Sequence, residues 1–245
     1  MSGDYVDTDG LRTYYEVHGE GEPLLLMHGG FCTVETFAQQ TPEFAKRYRV
    51  YLPERRGHGR TADPGEISYE LMAEDTIGFM EALGLESAHI VGYSDGGNTA
   101  LIMAIRRPEL VRKLVVIGAN FHYGGMAPVA LAAMETATPD AFYPWLVNAY
   151  KQNSPDGPEH FPVVFEKILR MWREEPSLTP DDLAGIQAPA LVLVGDRDWV
   201  APEHTLAMFQ AMPNAQLCVV PGATHGVPFE KAALVNQIVL DFLGA

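Results

Sequence analysis

The sequence predicts an α/β domain: a mostly parallel central sheet with helices on both faces, interrupted by one helical insertion. Three observations predict it. Short, continuously apolar runs recur at Leu24–Met27, Val50–Leu52, His89–Val91, Leu114–Ile117, Ala190–Val194 and Leu217–Val220. Unbroken rather than alternating apolarity marks strands buried on both faces, which is the habit of parallel sheets. Amphipathic stretches of helical length alternate with these runs. The rhythm fails once, from Phe121 to about Ile186, where helix-length segments rich in aromatics and prolines contain no strand-like run. The division expected is therefore a core of residues 1–120 and 187–245 with an insertion of residues 121–186 lying over the carboxyl edge of the sheet.

The elements follow in order. Asp9-Gly10 is a two-residue turn signal between Tyr5-Val6 and the stretch Leu11–Val17, so the chain opens as a hairpin. Gly19–Pro23 is a loop, and Leu24–Met27 the first buried strand. Thr33–Ala45 has helical spacing that would give Phe37, Phe44 and Ala45 a common core face. Val50–Leu52 is a strand. Tyr69–Leu83 is amphipathic through Leu71, Met72, Ile77, Phe79, Met80 and Leu83, and Gly84 suits its C-terminal cap. A helix from Asn98 must stop at Arg106-Arg107-Pro108, because the residue before proline avoids helical geometry. Beyond the insertion, two strands bracket a helix from Pro202 to Met212, and a last helix runs from about Pro228 to Leu243.

The chemistry gathers at strand ends. Gly92-Tyr93-Ser94-Asp95-Gly96-Gly97 sits directly between a strand and a helix, the setting of a nucleophile elbow. A turn that sharp thrusts the Ser94 hydroxyl out of the fold, and Gly92 and Gly96 leave room for neighbouring chain. Serine is a weak nucleophile until a base takes its proton. His225, in the small-residue loop Pro221–Gly226 after the last strand, is the best placed of the eight histidines. Its imidazole needs an orienting carboxylate. Asp196 and Asp198 both follow the strand Ala190–Val194, and their positions alone do not separate them. A tetrahedral intermediate needs donors for its oxyanion. The N–H of Asp95 is one. The other is expected from His28-Gly29-Gly30-Phe31, with Gly30 first and Phe31 second.

These pieces together resemble the α/β-hydrolase fold superfamily. His28-Gly29-Gly30, Arg56-Gly57-His58-Gly59-Arg60, the Ser94 elbow, Gly195-Asp196-Arg197-Asp198 and Gly222-Ala223-Thr224-His225 stand in that family's order across nearly the whole chain. The resemblance implies a helical cap at the insertion and a triad of Ser94, Asp198 and His225, since similar proteins use the second aspartate of the Gly-x-x-Asp segment. It implies a serine esterase-like enzyme acting on a small or medium carboxylic ester without a cofactor or metal. C–C or lactone hydrolysis, perhydrolysis, lyase chemistry and a slow-turnover ligand receptor share the fold. Epoxide and haloalkane hydrolysis are disfavoured, because similar enzymes for those reactions hold aspartate where this chain has Ser94.

Further side chains carry narrower expectations. Asp95 is either a helix-start acid favoured by the macrodipole or a reader of a cationic substrate group. Arg55, Arg56 and Arg60 either pack and pair within their loop or bind a substrate anion. Phe121, Tyr123, Trp145, Trp172 and Trp199 are candidates to line an apolar pocket. The chain has 245 residues, 47% of them hydrophobic, and a formal net charge of −15. That charge opposes binding to nucleic acid and to anionic membranes. Cys32 and Cys218 are too few for a disulfide framework, and the N-terminus shows no basic-then-apolar leader. A cytoplasmic protein with a small-molecule partner is expected.

Overall fold

The computed structural model describes residues 3–245. One eight-stranded sheet carries the fold. Its strands are β1 (Asp4–Thr8), β2 (Leu11–His18), β3 (Glu22–Met27), β4 (Tyr48–Pro53), β5 (Ala88–Tyr93), β6 (Val111–Ile117), β7 (Ala190–Arg197) and β8 (Ala215–Thr224). Their spatial order is β1-β2-β4-β3-β5-β6-β7-β8. The opening hairpin is antiparallel and joins β4 antiparallel; from β4 to β8 every pairing is parallel. Asp9 (φ +46°) and Gly10 (φ +90°) both take the left-handed conformations that such a tight turn requires.

The helices are α1 (Thr41–Phe44), α2 (Tyr69–Ala82), α3 (Asp95–Arg106), α4 (Pro128–Thr136), α5 (Pro144–Asn153), α6 (Phe161–Glu174), α7 (Pro180–Ala184), α8 (Pro202–Ala211), α9 (Val227–Glu230) and α10 (Ala232–Gly244). Successive side chains of a strand point to opposite faces, and here both faces are core. Leu25, Met27, Ile90 and Val116 join one apolar cluster with α2 and α3. Leu24, Leu26, Val91 and Val115 join the other with Val235, Val239 and Phe242 of α10. That is why these strands read as unbroken apolar runs.

Two helix expectations need correction. Thr33–Ala45 is not one helix: a 3-10 turn spans Val34–Phe37, and α1 begins only at Thr41. Pro42 lacks an N–H and its ring would strike the preceding turn of a continuous helix, so it is accommodated in the first turn of a new one. Phe37 and Phe44 nevertheless share the same cluster. The last helix is likewise divided, with Lys231 (φ −130°, ψ 36°) separating α9 from α10.

Between β6 and β7 the chain is helical. α6 supplies its apolar face through Phe161, Val164, Phe165, Ile168, Leu169 and Met171. Two isolated bridges, His122 with Ser177 and Met126 with Val200, are its β-like pairings. The second ties the start of this segment to the loop after β7. The strand order turns at β3, with β4 on one side and β5 on the other. Loops leaving β3 and β5 diverge there, and open α/β sheets bind ligands at such a crevice.

Candidate active site

Ser94 links β5 to α3 with φ +53° and ψ −121°, a backbone state that a residue with a side chain adopts only when the surroundings impose it. Its N–H is fixed to the Ile117 carbonyl of β6 at 2.8 Å. The elbow closes because Gly92 lies against the backbone of Gly96 and Gly97, and Gly96 against the carbonyls of Met27 and His28; no side chain fits at either place.

The three side chains named from the sequence meet at this elbow. The imidazole of His225 lies with Nε2 3.0 Å from Ser94 Oγ, and its Nδ1–H donates to Asp198 Oδ1 at 2.8 Å. That bond assigns the proton to Nδ1 and leaves Nε2 free to accept from the serine. The Val200 N–H holds the same Asp198 oxygen at 3.0 Å. The rival acid, Asp196, is elsewhere employed: its Oδ1 accepts the N–H groups of Gly222 and Ala223 at 2.8 and 3.2 Å, bracing the turn that leads to His225. The Trp199 indole stacks on the imidazole at 4.6 Å between centroids and 15° between planes, and the Tyr93 ring stands 5.3 Å away.

The expected oxyanion donors lie on the elbow itself and on the loop packed against it, where a Cβ on Gly29 would lie 3.3 Å from Ser94 Cβ. Among the described residues, the N–H groups of Gly30, Phe31 and Asp95 find no protein acceptor. Asp95 begins α3, where an unpaired N–H is inherent to the helix and carries its positive end. Phe31 sits at φ +56°, and its buried ring is enclosed by Phe142, Phe165 and Trp172 at 4.8, 5.7 and 5.5 Å. A Cβ on Gly30 would lie 2.5 Å from Asp95 Oδ2 and 2.6 Å from Trp172 Cζ2, so only glycine fits there.

The Asp95 carboxylate is turned into the protein and only 3% of the residue is exposed. Tyr69 Oη donates to Oδ1 at 2.8 Å, and the Trp172 indole N–H reaches Oδ1 and Oδ2 at 3.0 and 2.9 Å. Burial pushes its carboxyl up from the ordinary range, and the nearby Arg55 guanidinium opposes that shift. The group therefore knits α2, α3 and α6 together. Tyr69 gives no signal in the sequence: it opens an amphipathic helix and reads as core. Its role comes from a contact across 26 positions.

The three arginines divide. Arg56 grips Asp75 with two nitrogens at 2.5 and 2.7 Å, and Arg60 pairs with Glu54 and Glu35 at 2.6 Å each. Both serve their loop. Arg55 is buried behind the Gly29–Phe31 segment, donating to the Gly29 carbonyl at 3.1 Å.

Of the five aromatics proposed for a pocket, Trp172 and Trp199 reach the site as described. Phe121 does not: its buried ring stacks on His204 at 3.9 Å and fills core. Tyr123 is 40% exposed and stacks on its neighbour His122, and Trp145 is 59% exposed on α5. Trp145 faces outward because α5 turns Leu146 and Tyr150 inward. Phe142, in contrast, packs against Phe31. Among the described residues no group of three or more His, Cys, Asp or Glu is arranged to hold a metal ion, and no helix is long and apolar enough to cross a membrane.

The fold and this constellation define a hydrolase class, and comparison with known proteins agrees. The profile of the alpha/beta hydrolase family matches residues 24–238, and the chain belongs to that family. It is 31% identical to a 2-hydroxymuconate semialdehyde hydrolase of Pseudomonas putida, covering 96% of this chain and 91% of that protein. It is 28% identical to the human serine hydrolase BPHL, covering 97% and 85%. Among solved structures it is similar to the meta-cleavage product hydrolase CumD of Pseudomonas fluorescens IP01, with a TM-score of 0.86, 25% identity and coverage of 99% and 97%. The protein is thus a hydrolase built on the alpha/beta hydrolase fold.

Proposed function

We propose that the protein cleaves a small or medium carboxylic ester through an acyl-enzyme on Ser94. The observation that carries this reading is the unbroken relay from Ser94 Oγ to His225 Nε2 to Asp198 Oδ1. In it, Ser94 attacks the ester carbonyl carbon as its proton passes to Nε2. The carbonyl oxygen becomes an oxyanion held by the N–H of Asp95 and that of Gly30 or Phe31. The C–O bond to the alcohol breaks, and the departing alkoxide takes the proton from His225. Water then repeats the attack on the acyl-serine, giving its proton to His225, and the carboxylic acid leaves while Ser94 recovers its hydrogen. Asp198 keeps the imidazole oriented and compensates its charge in each half. The segment of residues 121–186 serves as the cap in this reading, with Trp172 and Trp199 toward the substrate. The net charge of −15 supports a small-molecule partner over nucleic acid or an anionic membrane.

A panel of p-nitrophenyl esters from acetate to octanoate, run on wild type and Ser94→Ala, tests the reading. Turnover by wild type with a loss of at least about 10³-fold in the variant is expected. Equal turnover by both would overturn it. The likeness to a 2-hydroxymuconate semialdehyde hydrolase favours a second reading, C–C bond hydrolysis on the same triad. Rapid consumption of that semialdehyde, with esters cleaved only slowly, would select it.

A further inference from the structure

Arg55 is a buried cation that, among the described residues, has no carboxylate in ion-pair distance, an expensive arrangement. Only 3% of the residue is exposed, and its Nε and Nη1 atoms have no partner among the described residues. What it does touch is specific. Its Nη2 donates to the Gly29 carbonyl at 3.1 Å. The same oxygen accepts from His28 Nδ1–H at 2.8 Å and from the Cys32 N–H at 3.3 Å. Three donors therefore converge on one peptide carbonyl. Burial and the Arg55 charge hold His28 well below the ordinary histidine range, so its ring is neutral and Nε2 is free to accept the Arg55 N–H at 3.3 Å.

The peptide so gripped joins Gly29 to Gly30, and its other end is the Gly30 N–H, which has no acceptor among the described residues. A carbonyl bonded by a charged donor draws electron density from its own N–H and makes it a stronger donor. Glycines at both positions supply no side chain to fix that plane, so the donors on the carbonyl must. We propose that Arg55 is a positioning residue of the oxyanion hole: it fixes and polarises the Gly29–Gly30 peptide, and its buried charge stabilises the negative charge that develops in the transition state. The same charge offsets the nearby Asp95 carboxylate, which would otherwise oppose that developing charge. The inference rests on the serine-hydrolase reading above.

The test uses Arg55→Met and Arg55→Gln, the second keeping a neutral donor toward Gly29. The readouts are the rate of Ser94 labelling by a fluorophosphonate, which needs no knowledge of the natural substrate, and the affinity for a trifluoromethyl ketone that adds to Ser94 as an oxyanion. Expected for Arg55→Met is a fall of about 30- to 100-fold in both, with KM for a p-nitrophenyl ester changed less than threefold, at or below the roughly 10²- to 10³-fold lost when an oxyanion donor is itself removed. Arg55→Gln should recover part of the loss. Unchanged labelling in folded variants would overturn the proposal. So would full recovery in Arg55→Met/Asp95→Asn, because Arg55 would then be only the counter-ion of Asp95. Absence of labelling in wild type would instead count against the serine-hydrolase reading itself.

Discussion

Ser94 works at a position that few residues tolerate, and the residues around it are correspondingly intolerant of added atoms. Gly118, the first residue after β6, shows this. It has φ +59°, and a Cβ there would sit 3.1 Å from Asp198 Oδ2 and from both Nδ1 and Cε1 of His225. Those atoms belong to the packed acid and imidazole, so the intruding methyl would displace the relay rather than a loose side-chain tip. Gly118→Ala is expected to lower kcat by on the order of tenfold to a hundredfold while KM stays nearly constant. Steady-state kinetics on any accepted substrate would reveal it. A KM effect alone would mean that the methyl reshapes the pocket and leaves the relay intact.

At the scale of elements, α6 braces the helical segment between β6 and β7 against the loop after β3. Phe165 is fully buried and its ring meets Phe31, Phe142 and Phe161. Phe165→Ala should cost about 3–5 kcal/mol of unfolding free energy, the range for deleting a buried aromatic. It should also slow catalysis by loosening Phe31, whose ring packs on Phe165 and whose backbone is held at φ +56°. Urea titration measures the first effect; a loss below about 1 kcal/mol would show that the site collapses around the deletion. A second brace joins that segment to the loop that carries Asp198. The Ala127 N–H donates to the Trp199 carbonyl at 2.6 Å and the Ala201 N–H to the Gly125 carbonyl at 2.9 Å. The loop carrying Asp198 is thus held on both strands of a short ladder.

Across the whole molecule, the sheet separates two cores and hides several titratable groups beneath the site. Burial drives His58 down to about 3 and His204 to about 4, and keeps His28 far below 6.5. A histidine whose pKa falls on folding contributes stability that is present above its unfolded pKa and is lost as pH falls toward the folded value. Each such group costs up to about 1.4 kcal/mol per pH unit in that window. The protein should therefore lose melting temperature steadily below about pH 6.5. In His58→Asn, whose amide can still donate to the Arg56 carbonyl that Nδ1 now reaches at 2.8 Å, the loss between pH 6.5 and 4.5 should be shallower. Parallel melting curves for the two proteins would refute the assignment. Glu54 acts with the opposite sign. Burial pushes it up to about 7, so its share of stability is present below about 4.5 and is lost as pH rises through about 7.

The amino-acid order by itself determined the strand runs, the elbow and the sequence of serine, acid and histidine, because each is written locally. Apolar runs are continuous where both faces are buried, and a glycine-flanked serine after a strand is a local turn. It left Asp196 and Asp198 unresolved on position alone, read Thr33–Ala45 as one helix, and gave Phe121, Tyr123 and Trp145 the same weight as Trp172 and Trp199. Only the tertiary structure decided those points. Asp196 lies in β7 and Asp198 just past its end, with a break in register between Gly195 and Arg197, so which of them meets His225 is decided only once β8 and its loop stand alongside. An aromatic in an insertion lines a site or faces solvent according to how its helix packs. The buried contacts of Tyr69 and Arg55 with the elbow and the loop after β3 span 26 positions each. Contacts at that separation leave no periodicity in the chain; they exist because the sheet brings the ends of β3, β4 and β5 to one crevice.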